Sequence, residues 1–121
     1  MTEEEYKQLM SDCGFSVVED DLATSGLYYI AYFGDSVKWQ NAFAVYDTDN
    51  GEVTLCTKLY YEKSQGICVN KDKKIETKDI NALRPIVISI AEQYKNLLVI
   101  QKKEEIKKDF ENKWNFLKKF V

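Results

Sequence analysis

The chain has no histidine, one proline and one arginine among its 121 residues. Without histidine, Ser-His and Cys-His nucleophilic mechanisms and histidine-ligated metal sites are excluded. One arginine beside sixteen lysines leaves almost no capacity for bidentate reading of bases. Three cysteines (Cys13, Cys56, Cys68) form neither a CxxC pair nor an even disulfide set, which reads as a reduced, cytoplasmic chain whose thiols are small buried hydrophobes. No Gly-rich phosphate loop is present, neither GxGxxG nor GxxxxGK(S/T). No apolar run approaches the roughly 18–20 residues needed to span a bilayer, so no membrane partner is expected. The opening MTEEEYKQ is acidic and polar, unlike a secretory signal. No cofactor is implied.

What is present is ordinary for a folded globular protein: 45% hydrophobic and 31% charged residues. Residues 1–121 are expected to form a single α+β domain. The net charge of −3 conceals a polarity along the chain. Residues 1–62 carry twelve acids and three lysines, or −9; residues 63–121 carry eight acids, thirteen lysines and Arg84, or +6. Such a gradient attracts the two halves to each other or steers a partner.

The organising stretch is residues 37–61, VKWQNAFAVYDTDNGEVTLCTKLYY. Two β-prone runs flank Asp49-Asn50-Gly51, a strong hairpin signal because the turn needs positive φ. A three-residue loop with Gly51 left-handed would set odd positions opposite odd ones. Val37, Trp39, Phe43, Val45, Val53, Leu55, Leu59 and Tyr61 would then face the core. The even face would gather Tyr28, Ile30, Tyr32, Ala42, Ala44, Tyr46, Cys56, Tyr60 and Cys68. Around this hairpin the spacing predicts an antiparallel meander of four to six strands, with pieces near 15–19, 26–33, 67–70 and 75–78.

Helices enclose the meander. Thr2 and Glu5 have capping-box spacing, followed by a Tyr6, Leu9, Met10, Cys13 stripe and a stop at Gly14. From residue 79 onward the period is helical, with Asp79 or Asn81 able to cap and regular helix expected to begin between Ala82 and Ile86, because Pro85 belongs near a first turn. Leu83, Val87, Ile90, Ala91, Tyr94, Leu97 and Leu98 make a sheet-packing stripe. Ile106, Phe110, Trp114 and Leu117 make a second stripe in another direction. Residues 102–121 therefore either project as a straight continuation or fold back after a break near 101–103. The projecting form would be covered most economically by a second copy.

The chemistry-bearing candidates are few. Asp47-x-Asp49-x-Gly51 fails as a calcium loop: with Gly51 sixth, Tyr46 would be first and Thr57 would stand where the bidentate Glu belongs. Glu19, Asp20, Asp21, Asp47 and Asp49 form an acidic surface that could serve a carboxylate-dependent hydrolase, or imitate phosphates toward a nucleic-acid-binding protein. The lysines of 102–119 read as scattered around their helix, which argues against direct nucleic-acid binding. Tyr28, Tyr32, Tyr46 and Tyr60, with Ile106, Phe110, Trp114 and Leu117, are the expected protein-binding residues, since such side chains suit interfaces.

The order helix, meander and closing helix, with the turn at 49–53, resembles small acidic secretion-chaperone-like domains. The lysine-rich, arginine-poor, motif-free composition resembles phage and mobile-element accessory proteins, including inhibitors of bacterial defence nucleases. The expected function is a non-catalytic protein-binding module of that accessory or inhibitor kind, with a protein partner and a homodimeric state. A small carboxylate- or metal-dependent hydrolase and a secretion-chaperone-like dimer are the alternatives.

Overall fold

The computed structural model describes residues 1–21, the side chain of Asp21 excepted, and residues 26–119. Helix α1 (Glu3–Asp12) leads into strands β1 (Ser16–Asp21), β2 (Leu27–Tyr32), β3 (Ala42–Asp47), β4 (Glu52–Cys56), β5 (Leu59–Glu62), β6 (Gly66–Val69) and β7 (Lys74–Thr77). Helix α2 (Ile80–Lys118) follows. This is the expected α+β architecture. Five strands form an antiparallel sheet in the order β1-β2-β3-β4-β7, while β5 and β6 form a separate hairpin. The sheet order brings β7 back to pair with β4 after the β5–β6 excursion.

The capping box forms as anticipated: Glu5 N donates to Thr2 Oγ1 at 3.2 Å and Thr2 N to Glu5 Oε1 at 2.9 Å. It aims Tyr6, Leu9 and Met10 at the sheet, where they meet Leu83, Val87 and Ile90 of α2 in one core. Phe43 packs edge-on against Phe15 at 4.6 Å between centroids, and Tyr6 stacks on Tyr46 at 5.2 Å.

The hairpin register differs from the expected one. Asp47 pairs with Glu52, Tyr46 with Val53 and Ala44 with Leu55, so the loop holds four residues and even positions oppose odd ones. Gly51 is left-handed as anticipated (φ 68°). The extra loop residue is Thr48, whose hydroxyl and N–H both donate to Leu27 O, at 2.8 and 3.3 Å, and so hook it onto the start of β2. A bulge then alters the alternation again. Ala31 pairs with Ala44 and Tyr32 with Ala42, leaving Phe43 between them, and Phe43 and Ala44 both join the core. Of the odd set, Phe43, Val53, Leu55 and Leu59 are buried in the core, but Val45 lies on the opposite face and Val37 and Trp39 are exposed. Trp39 opens a short 3-10 turn (Trp39–Asn41), outside any strand.

Helix α2 starts earlier than expected. Asp79 caps it by accepting from Asn81 N at 2.9 Å, which places Pro85 in the second turn. It then runs unbroken through 101–103 for 39 residues, about 58 Å at ~1.5 Å per residue. The fold-back alternative is not adopted. Gln93 holds the β5–β6 hairpin against the helix: its Oε1 accepts from Leu59 N at 2.9 Å and its Nε2 donates to Thr57 O at 3.1 Å.

Candidate protein interface

The second stripe of α2 is uncovered. Ile106, Phe110, Trp114 and Leu117 are 69%, 70%, 53% and 56% exposed, and every residue from 105 to 119 is exposed. At about 100° per residue, these four fall with Ile88 and Val99 in one arc of about 80°. Both added residues are themselves exposed. The arc is centred about half a turn from Leu83, Val87, Ile90 and Tyr94, which pack on the core. The helix is therefore apolar on two opposed faces, and the sheet satisfies only one.

Charge is sorted on the same helix. Of the seven lysines of 102–119, expected to be scattered, five lie on one side of the helix, and Lys108 and Lys119 lie on the other. Lys102, Lys103, Lys107, Lys113 and Lys118 lie within about 80° of Phe110, while Glu104, Glu105, Asp109 and Glu111 all lie about 100° or more away. Lys118 Nζ stands 5.6 Å from the Trp114 ring centroid. The exposed apolar stripe is thus bordered by positive charge alone over its last five turns.

The four tyrosines do not share a surface. Tyr28 and Tyr32 lie on the sheet face away from the helices, where Tyr32 packs with Ile30, Ala42 and Val45. Tyr46 is in the main core beneath α1, its hydroxyl donating to Met1 O at 3.1 Å. The four-residue loop and the bulge carried it across. Ala44 and Cys56 also belong to that core. Tyr60 and Cys68 pair with each other in the separate β5–β6 hairpin, with Tyr60 partly exposed.

The acidic candidates are divided as well. Asp20 pairs with Tyr28, Tyr28 with Asp47 and Asp47 with Glu52, so three carboxylates flank one tyrosine along a row of the outer sheet face. Glu19 points to the other side of β1, and Asp49 sits at the hairpin tip against Gly26. Among the described residues, no three His, Cys, Asp or Glu side chains are grouped so as to hold a metal. The Asp21 side chain lies outside the described set.

A groove that sequence reasoning missed opens on the outer sheet face between Trp39, Val45, Thr54, Cys56, Lys71 and Lys74. Its half-buried ammonium is engaged: Lys71 Nζ donates to Ala42 O at 2.8 Å and stands 4.6 Å from the Trp39 ring centroid. Burial holds the Lys71 pKa below its ordinary value. The Cys56 thiol is pushed up by burial, which makes it a poor nucleophile. A second groove lies between α1 and the first turn of α2, lined by Glu4, Glu5, Asp12, Leu9, Ile80 and Arg84.

No helix among the described residues is long and apolar enough to cross a membrane. Comparison with protein-family models, with curated proteins and with solved structures finds no match to this chain.

Proposed function

We infer that this chain is a non-catalytic protein-binding module that engages its partner through the outer face of α2. The observation carrying this reading is the projecting stripe Ile106, Phe110, Trp114 and Leu117, more than half exposed at every position. Contiguous exposed apolar surface of this kind is rare on monomers and marks interaction sites. Spacings of four, four and three residues set successive anchors on one helix face, the pattern by which a helix docks into an apolar surface. Trp and Phe are also the residues that dominate binding energy when they enter a partner's pocket. The module acts by contact, as a small accessory or inhibitory factor does. A photo-reactive amino acid placed at Lys107, beside the stripe in the full chain, and irradiated in living cells, is expected to form protein adducts that Trp114→Glu abolishes. Absence of any protein adduct, or adducts indifferent to Trp114→Glu, would overturn the reading.

A further inference from the structure

The stripe has two properties that together specify its occupant. It is bordered by lysines over its C-terminal half, and the same helix carries an acid-lined groove at its other end. Ile80 and Arg84, which wall that groove with Glu4, Glu5 and Asp12 of α1, lie on one flank of the exposed arc. On the helical wheel that flank, about 60–120° to one side of Phe110, also holds Lys102 and Lys113. A two-fold axis perpendicular to two antiparallel helices brings equal flanks together, so the lysine end of one copy lies along the acid end of the other.

Resting on the reading above, we propose that the occupant is a second copy of this chain, paired antiparallel along α2 about a two-fold axis near residues 100–101. The stripe Ile106, Phe110, Trp114 and Leu117 of one copy then covers the exposed Ile88 and the outer surface of residues 83–95 of its partner. Lys107 and Lys113 then lie opposite residues 94 and 88 of the partner and flank Glu92, which stands at the centre of the exposed arc, with Lys113 on the flank that leads to the Glu4–Glu5–Asp12 groove. A parallel pair would set five lysines against five, an arrangement that like-charge repulsion opposes. The arc points away from the sheet, so the two sheets end on the outside of a closed, isologous assembly.

Light scattering on the purified full chain at tens of micromolar is expected to give a dimer, and Phe110→Glu/Trp114→Glu, with an unchanged circular dichroism spectrum over the sheet and α1, a monomer. Lys113→Glu is expected to weaken the dimer about tenfold, and Lys113→Glu with Glu4→Lys to recover most of that loss. Mixed Ile88→Cys and Trp114→Cys chains should cross-link to each other on oxidation, whereas Phe110→Cys alone should not. A monomer at 100 µM overturns the proposal. So does a dimer that survives Phe110→Glu/Trp114→Glu, or one that cross-links through Phe110→Cys. A monomer that sediments with phosphatidylglycerol vesicles but not with phosphatidylcholine vesicles assigns the stripe to an anionic lipid surface instead. A purified monomer whose Lys107 probe still captures another protein in cells overturns the second copy but leaves the protein-binding function standing.

Discussion

Two buried aromatic residues illustrate how single side chains set the stability of this molecule. Phe43 is 2% exposed at the bulge, wedged against Phe15. Phe43→Ala removes that contact where neighbouring strands cannot close the gap, and should lower the unfolding free energy by about 3–5 kcal/mol in urea titration. Tyr6 is fully buried and donates its hydroxyl to Tyr29 O at 3.0 Å. Burial raises its pKa well above the ordinary value of 10.0. The unfolded phenol ionises near pH 10 while the folded one keeps its proton. The folded state is therefore fully favoured below that pH and loses stability as pH rises through it, by up to about 1.4 kcal/mol per unit for this group. Tyr6→Phe should be about 1 kcal/mol less stable at neutral pH, through the lost hydrogen bond. Between pH 9 and 11, urea midpoints of the variant should fall less steeply than those of the parent chain.

At the scale of elements, local signals proved readable and long-range hooks did not. The capping box and the stripe of α1 depend on residues within one or two turns, and they form as their spacing indicates. The hairpin turn is equally local, and Gly51 takes its left-handed conformation. Its register was not readable, because Thr48 is held by Leu27 O, some twenty residues away in the chain. The bulge at Phe43 depends on the neighbouring strand in the same way. These two events moved Tyr46 to the core and Val45 off it, and so dispersed the expected tyrosine face. The helical stripe of the candidate interface was readable because its four residues are exposed and enter neither core cluster, leaving its period undistorted. Another distant contact, Gln93, decides that β5 and β6 lie against α2 and not in the main sheet. Gln93→Leu would leave Leu59 N–H and Thr57 C=O without their partner in a part-buried setting. The expected cost is about 1–3 kcal/mol. Amide exchange should quicken in β5 and β6 before it does in β3 and β4.

For the whole molecule, the charge gradient and the two-faced helix belong to one design. Residues 1–62 carry −9 and residues 63–121 carry +6, and within one chain the lysine-bordered end of α2 projects away from the acidic surface of α1. Attraction between the halves is therefore left unsatisfied in a single copy. Covering the projecting stripe returns part of the apolar burial that a lone helix forgoes, roughly 1.5–3 kcal/mol for each large side chain fully removed from water. None of the residues from 105 to 119 enters the core clusters, so a chain ended after Glu104 should retain the intrinsic stability of the monomer. Stabilisation by a second copy must instead grow with concentration, because only the folded state binds. The urea midpoint of the full chain should rise between 1 and 100 µM, while that of the shortened chain stays constant. The two should agree to within about 0.5 kcal/mol at the lowest concentration, where the pairing contributes least. A shortened chain already much less stable at 1 µM would place the distal helix within the folding unit of the monomer and not at its interface.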